Sequence, residues 1–234
     1  MNANAYSARW FDFFHTPIPE DRTRLEVEFV TTNAPLPGFR RVADICCGMG
    51  RHARALTALG YEITGVERNA TAVEVARQMG GGPRYVCADV RESVLSPNEY
   101  DAIIVMSQSF GYFDEATNIG VLTGFGDALR PGGRVVLDLW NPDFFHRHQG
   151  ERSLDLPLGT IIETKEIREN RLLVRLEYPD GGVECFDWQL FTSQKMAELA
   201  KAARLQLLVS CTNFDNTTVP YADSARIQFV LAKP

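Results

Sequence analysis

From Arg41 onward, short apolar runs alternate with segments whose apolar positions have helical spacing. The runs that predict strands start at Arg41 and recur at Glu62 to Glu67, Arg84 to Ala88, Tyr100 to Met106 and Arg134 to Leu139. The segments that predict helices are Arg51 to Leu59, Ala70 to Met79 and Asp114 to Leu129. This alternation is typical of parallel strands joined by helical crossovers, so we expect an α/β fold with a doubly wound sheet.

The segment before this core predicts two helices, at Ala5 to His15 and at Glu20 to Thr32. The first is rich in aromatic residues, and the second has acids in its first turn. Because both helices precede the sheet, we expect them to fold over a bound ligand as a lid.

The segment after the core has the pattern of an antiparallel sheet. Residues Thr160 to Phe191 read as strands separated by turns, and the clearest turn is Pro179 to Gly182. A helix capped by Thr192 or Ser193 follows, and strands at 206–211 and 225–231 close the chain. We therefore expect one domain over residues 1–234, divided into a lid (1–38), a ligand-binding core (39–142), an antiparallel insertion (143–191) and a closing segment (192–234).

Composition and charge narrow the class of protein. Among 234 residues, 45% are hydrophobic and 23% are charged, which is ordinary for a globular domain. The net charge of -6, with no lysine- or arginine-rich run, disfavours a nucleic acid or an anionic membrane as partner. The apolar runs fall short of the ~20 residues that span a membrane, and we see no secretory signal at the N-terminus.

The cysteines indicate a reducing compartment. Their number, five, is odd, and Cys46 and Cys47 are adjacent, which argues against a disulfide framework. We expect reduced thiols and a cytoplasmic location. No C-x-x-C spacing is present, and His146 with His148 is too local and isolated to hold a metal, so we expect no metal site.

The stretch Val42 to Ala53, VADICCGMGRHA, joins the first strand to the first core helix through a glycine-spaced turn. Gly48 and Gly50 lack a Cβ, so the backbone there lets a ligand approach closely. Unpaired N–H groups at the start of the helix point into the same space. Asp44, on the strand, is expected to orient those donors or to meet a cationic group of the ligand. The stretch predicts a nucleotide-type site.

Side chains suited to a nucleoside follow the next strands. Glu67 ends strand two about 20 residues beyond the glycine turn, where a carboxylate can accept both ribose hydroxyls. Asp89 follows strand three and is placed to accept the exocyclic amine of adenine, while Val90 packs on the ring. Met106 ends strand four. The carboxyl ends of parallel strands meet at one edge of a sheet, so one site is expected there.

The pattern D-x-C-x-G-x-G at Asp44 to Gly50, the acids after strands two and three, and the Pro131 to Gly133 turn resemble class I S-adenosylmethionine-dependent methyltransferases. The resemblance implies a Rossmann-like sheet of strand order 3-2-1-4-5-7-6, with S-adenosylmethionine as cofactor and S-adenosylhomocysteine as product. The cofactor-binding residues that it implies are Tyr6, Trp10, Arg24, Asp44, Cys46, Gly48, Gly50, Glu67, Arg68, Asp89, Val90 and Met106.

A narrower resemblance concerns Met106 to Phe113, MSQSFGYF, together with the insertion and the helix in LFTSQKMAELAKAA. These features are similar to those of small bacterial enzymes that include sugar-amine N-methyltransferases. In that group a basic residue at the position of Arg24 reaches the methionine carboxylate. In the same group, a histidine near the acceptor amine often occupies the position that matches Tyr112 of this chain. Tyr6 and Trp10 are expected to close over the sulfonium, whose charge favours an aromatic face.

The expected reaction is transfer of a methyl group to nitrogen or oxygen of a small-molecule acceptor. Tyr112 is the first candidate for a catalytic role, chiefly in orienting the acceptor, and His15 is the second. Tyr112, Trp140 and Asn141 are expected to line the acceptor pocket. The insertion could also form a homodimer contact.

Two alternatives stay open from the sequence. Gly48, Gly50 and Ala53 also satisfy the G-x-G-x-x-A form of the dinucleotide fingerprint, which favours an NAD(P)-dependent oxidoreductase. Against that alternative, the sequence has no Tyr-x-x-x-Lys pair and no obvious set of residues for a hydride-transfer site. The other alternative is a protein that binds S-adenosylmethionine without catalysis.

Overall fold

The computed structural model describes residues 6–15, 18–92 and 95–234, without the side chain of His15. The helices are α1 Ala8–Trp10, α2 Glu20–Asn33, α3 Arg51–Ala58, α4 Ala70–Gln78, α5 Glu115–Ala128, α6 Pro142–Arg147 and α7 Ser193–Ala202. A π-helical turn, Phe11–His15, directly continues α1. The strands are β1 Arg41–Ile45, β2 Glu62–Glu67, β3 Arg84–Cys87, β4 Tyr100–Val105, β5 Leu129–Trp140, β6 Gly150–Leu156, β7 Gly159–Arg168, β8 Arg171–Glu177, β9 Val183–Gln189, β10 Gln206–Cys211 and β11 Arg226–Ala232.

Seven of these strands form one sheet in the order β10-β11-β5-β4-β1-β2-β3. Strands β1 to β5 are parallel to one another. Strand β11 runs antiparallel to both β5 and β10. Numbered within this sheet, the order is 3-2-1-4-5-7-6, so the predicted α/β fold is confirmed. The ladders pair Asp44 with both Gly65 and Ile104, and Glu67 with Cys87, which brings the carboxyl ends of β1 to β4 to one edge.

Alternating side chains of the central strands feed two separate apolar cores. On β4, Ile103 packs into one core with Leu137 of β5, while Ile104 packs into the other with Val136. Both isoleucines are fully buried. This period of two follows from the pleat of a strand, and burial on both faces explains why these strands read as continuous apolar runs.

Local signals account for most element boundaries. The Asn69 side chain accepts hydrogen bonds from the backbone N–H groups of Thr71 and Ala72 at the start of α4, and Thr192 caps α7 in the same way. One boundary differs from the prediction, because β5 begins at Leu129 instead of Arg134. The Pro131 to Gly133 turn lies inside the strand as an irregularity, and its Gly132 has a positive φ of 76°.

The second sheet has four antiparallel strands in the order β6-β7-β8-β9. The predicted Pro179 to Gly182 turn joins β8 to β9, and Tyr178 N–H donates to the Gly182 carbonyl across it. Two elements of the insertion were not predicted, β6 and α6. The β6 sequence, GERSLDL, is largely exposed and has no apolar alternation, as expected of an edge strand.

The N-terminal aromatic segment packs against this second sheet. The Tyr6 ring stacks on Phe186 at 5.0 Å between centroids, and the ring of Phe13 meets Tyr178 edge-on at 5.3 Å. Arg9 forms an ion pair with Asp180 in the β8–β9 turn. Among the described residues, no helix is long and apolar enough to cross a membrane.

The two-core arrangement predicts where truncation is costly. Leu137→Ala, at a position with 0% exposure on β5, should lower the free energy of unfolding by about 2 to 5 kcal/mol, because it removes buried methyl groups and leaves a cavity. The matched control Leu59→Ala, at a residue 55% exposed, should change it by less than ~0.5 kcal/mol. Urea unfolding measures both, and equal losses would contradict the assignment of the core.

Candidate active site

A cavity of about 350 Å³ opens at the carboxyl ends of β1, β2, β3 and β4, within the size range of small-molecule sites. The N-terminal segment, through Tyr6, Trp10 and Phe11, supplies part of its wall. The predicted site residues that line it are Tyr6, Trp10, Asp44, Cys46, Gly48, Glu67, Arg68, Asp89, Val90, Met106 and Tyr112. The structure therefore gathers most of the predicted cofactor-binding residues around one space.

The glycine turn shapes the floor of this cavity. Gly48 and Gly50 have positive φ angles of 53° and 76°. A Cβ at Gly50 would lie 2.2 Å from the Tyr85 hydroxyl oxygen, so both sterics and backbone conformation require glycine there. Gly50 itself is the N-cap of α3 and does not line the cavity. Its role is to turn the chain so that α3 starts at the cavity.

Glu67 is fixed at the end of β2 by backbone donors. Its Oε2 accepts from Gly48 N–H at 3.1 Å, and its Oε1 accepts from Asn69 N–H at 2.8 Å. Each carboxylate oxygen keeps a second acceptor site. Glu67 therefore braces the glycine turn and still offers two acceptors to a ligand diol.

Asp44 is a buried carboxyl with an unsatisfied oxygen. Its exposed fraction is 1%, and its Oδ2 atom has no hydrogen-bond partner among the described residues. Burial raises the pKa of Asp44 from 3.8 to about 7, while the Arg51 charge and the Ala53 N–H group act in the opposite direction. A buried polar atom without a partner is costly, so this oxygen is suited to receive a cationic donor from a ligand.

Arg51 contributes the cation beside this carboxyl. It is the first residue of α3, and its side chain is 13% exposed and lines the cavity. Its guanidinium donates to Thr23 Oγ1 at 3.0 Å and to Ser107 Oγ at 2.7 Å. A guanidinium next to an unpaired carboxyl matches the two charges of a free amino-acid group. Sequence reasoning missed Arg51, although its place directly after the glycine turn was a usable signal.

The segment after β3 forms one end of the cavity and places a charged pair, Asp89 and Arg91, there. Asp89 accepts hydrogen bonds from the Arg91 backbone N–H at 2.9 Å and from Arg91 Nη2 at 2.6 Å. This pairing with Arg91 lowers the pKa of Asp89 to about 2. Arg91 in turn lies 4.9 Å above the Phe113 ring, so Asp89 is an ionised acceptor held at the cavity rim.

Neutral aromatic groups form the remaining wall. The hydroxyl oxygens of Tyr6 and Tyr112 lie 2.7 Å apart, and the Trp10 ring lies 4.4 Å from that of Tyr6. Burial raises the pKa of both tyrosines above the ordinary value of 10.0. Both hydroxyls therefore stay neutral near pH 7, which makes them orienting groups and poor bases.

The structure places three predicted residues elsewhere. Arg24 lies on the outer face of α2 with its side chain 75% exposed and pairs with Asp21, so the guanidinium beside Asp44 is that of Arg51. Asn141 is 1% exposed, and its Nδ2 donates to the carbonyls of Tyr221 and Ser224. Its amide thus secures a loop instead of lining a pocket.

Trp140 is likewise absent from the cavity wall, because its ring packs between the two sheets. It contacts Phe145 at 5.0 Å and Trp188 at 6.4 Å between centroids. The side chain of His15, the second catalytic candidate, lies outside the described residues. Among the described side chains that were predicted for catalysis or acceptor binding, Tyr112 is the one that lines the cavity.

Comparison with known proteins agrees with this geometry. Residues 42–133 match the family described as "Methyltransferase domain". The Cypemycin N-terminal methyltransferase of Streptomyces sp is 28% identical over 156 residues, which cover 63% of this chain and 63% of that protein. The Ubiquinone biosynthesis O-methyltransferase of Aromatoleum aromaticum is 29% identical over 175 residues, 70% of this chain and 73% of that protein.

Solved structures share the complete architecture. An S-adenosylmethionine-dependent methyltransferase from Clostridium acetobutylicum ATCC 824 superposes with a TM-score of 0.77 at 15% identity, over 96% of each chain. CalS10, an amino pentose methyltransferase from Micromonospora echinaspora with S-adenosylmethionine bound, superposes with a TM-score of 0.70 at 15% identity, over 100% of each chain. At these identities the likeness concerns the fold.

Residues 42–133 thus form a methyltransferase domain, and the complete chain has the fold of class I S-adenosylmethionine-dependent methyltransferases. The cofactor that these matches support is S-adenosylmethionine.

The raised pKa of Asp44 predicts a pH-dependent gain of stability on its replacement. The folded protein binds the Asp44 proton more tightly than the unfolded chain, so ionisation of Asp44 costs stability as pH rises from about 4 to 7. Asp44→Asn cannot ionise, and without ligand it should be more stable than wild type at pH 8, by up to ~4 kcal/mol, but not at pH 4.

Urea unfolding at the two pH values measures this difference. Asp223→Asn is the matched control, because Asp223 has a side chain that is 81% exposed. A stability difference between wild type and Asp44→Asn that is the same at pH 4 and pH 8 would refute the raised pKa.

Proposed function

We propose that this protein transfers a methyl group from S-adenosylmethionine to the nitrogen of a small-molecule amine. When bound, the cofactor supplies an electrophilic methyl group on a positively charged sulfur. The chain supplies orientation and exclusion of water, effects worth up to ~7 to 11 kcal/mol of a reaction barrier.

The cradle supports the cofactor half of this proposal. Asp44 offers an unpaired oxygen to the ammonium group of the methionine part, and Arg51 offers a guanidinium to its carboxylate. Glu67 can accept the ribose hydroxyls, and Asp89 can accept the adenine amine. In this assignment Arg51 replaces Arg24 as the residue that meets the methionine carboxylate.

The Tyr6–Tyr112 hydroxyl pair is the observation that carries the acceptor half. A hydroxyl acceptor near pH 7 needs a base in the site to take its proton, whereas an amine can lose its proton to solvent before it binds and then has a free lone pair. In the described part of the cavity lining, the carboxylates lie on β1, at the end of β2 and after β3, the histidine lies in the first turn of α3, and none of them belongs to the aromatic wall. Two neutral hydroxyls 2.7 Å apart suit an amine that must be oriented and not deprotonated.

The amine proposal is also consistent with relatives that act on nitrogen. The cypemycin enzyme is named for an N-terminal acceptor, and CalS10 is an amino pentose methyltransferase. The ubiquinone relatives are named as O-methyltransferases, so the alternative of oxygen acceptors belongs in the same test. The homodimer contact through the second sheet stays a prediction.

Two assays test the proposal. Protein stripped of ligand should gain about 2.7 kcal/mol of stability at 100 times the dissociation constant of S-adenosylhomocysteine, and none with NADH or NADPH. With S-adenosylmethionine, turnover should be detected by mass spectrometry for members of a panel of small amines. A matched panel of hydroxyl compounds is assayed in the same way. Turnover confined to the hydroxyl compounds would overturn the proposal of a nitrogen acceptor. Binding of S-adenosylhomocysteine without turnover of either panel would favour a non-catalytic protein.

The role of Tyr112 predicts a specific kinetic change. Tyr112→Phe should lower kcat by about 10- to 100-fold, because it removes the hydroxyl that orients the acceptor, and leave the dissociation constant of S-adenosylhomocysteine unchanged. Tyr100→Phe, a buried control at the far end of β4, should leave both values unchanged. A Tyr112→Phe variant with the wild-type kcat would remove Tyr112 from the mechanism.

A further inference from the structure

Glu26 is a buried carboxylate on α2 that the cofactor assignment above does not use. Its side chain is 1% exposed. Its Oε1 accepts from Arg22 Nε at 2.7 Å, while its Oε2 lies 2.5 Å from Arg51 Nη2 and 2.8 Å from His52 Nε2. Although burial opposes ionisation, the hydrogen bond from His52 and the charge of Arg51 hold the pKa of Glu26 well below 4.5. Glu26 is therefore ionised in the folded protein.

Arg51 is held between elements by neutral and charged partners. Thr23, one turn before Glu26 on α2, accepts from Nη1, and Ser107, directly after β4, accepts from Nη2. Asp44 is close enough to Arg51 for the Arg51 charge to offset part of the rise in the pKa of Asp44. No hydrogen bond joins the two side chains. Arg51 thus lies close to two carboxylates, Asp44 and Glu26. It pairs with Glu26, which does not line the cavity.

This choice has a consequence for the cradle. Opposite charges in a water-poor site attract strongly, so a released Arg51 would move towards the ionised Asp44. Such a pair would satisfy the free oxygen of Asp44 and occupy the space that we assign to the ligand ammonium. It would also withdraw the guanidinium from the ligand carboxylate.

We propose that Glu26 is a positioning residue that holds Arg51 apart from Asp44, so that both charges stay available to the amino-acid end of the cofactor. This inference rests on the proposed function and extends it to a residue that does not line the cavity. The proposal predicts that Glu26 increases the affinity for ligands with an amino-acid end and leaves the affinity for the nucleoside alone unchanged.

Isothermal titration calorimetry of Glu26→Gln with two ligands tests this selectivity. S-adenosylhomocysteine carries the amino-acid end, whereas 5′-methylthioadenosine has the same nucleoside and thioether without it. Glu26→Gln should weaken S-adenosylhomocysteine about 10- to 100-fold and change 5′-methylthioadenosine by less than about threefold. Glu28→Gln, the same substitution at an exposed position on the same helix, should bind both ligands as wild type does.

Equal weakening of both ligands would mean that Glu26 only supports the fold, and unchanged binding of both would also overturn the proposal. Arg51→Lys gives an independent route if Glu26→Gln does not fold. Lysine keeps the charge but lacks the fork that reaches Thr23, Ser107 and Glu26 together, so the same selective loss is expected. Failure of the wild-type protein to bind S-adenosylhomocysteine would instead reject the proposed function.

Discussion

The Asp44 carboxyl is buried near the end of β1, and the other charged groups of the site compensate for the cost of that burial. β1 is an interior strand of the seven-stranded sheet, with β2 on one side and β4 on the other, so Asp44 cannot move into solvent. One of its oxygens has no hydrogen-bond partner in the part of the chain that the structure describes, and burial raises the pKa of the carboxyl to about 7. The fold thus retains an unfavourable group that a cationic ligand group can satisfy.

Charge around this carboxyl is distributed over separate elements. Arg51 begins α3 immediately after the glycine turn, Glu26 approaches it from α2, and Ser107 approaches it from the end of β4. The turn can bring α3 so close only because Gly50 has no Cβ. The cofactor cradle therefore depends on the packing of the N-terminal helices as much as on the sheet, although the sheet carries most of the recognisable motif.

The sequence predicts the sheet and the cofactor edge well because both depend on local patterns. Apolar runs, turn residues and acids at strand ends predict the parallel strands and place Asp44, Glu67 and Asp89 together, whereas the strand order was implied by the resemblance to class I methyltransferases. The misses have a common physical cause, since position along the chain does not say which way a side chain points. Arg24 faces solvent because α2 buries Glu26 instead, and a buried glutamate runs against the apolar pattern used to orient a helix. Trp140 follows β5 as predicted but turns towards the second sheet.

The most direct test of the account is the number of protons released when S-adenosylhomocysteine binds, measured by calorimetry at pH 7 in buffers of different ionisation enthalpy. With a pKa of about 7, free Asp44 is half protonated at this pH, and it must ionise to pair with the ligand ammonium. Wild-type protein should therefore release about half a proton per ligand, and Asp44→Asn should release none. Binding without proton release, or an equal release by both proteins, would contradict the role assigned to Asp44.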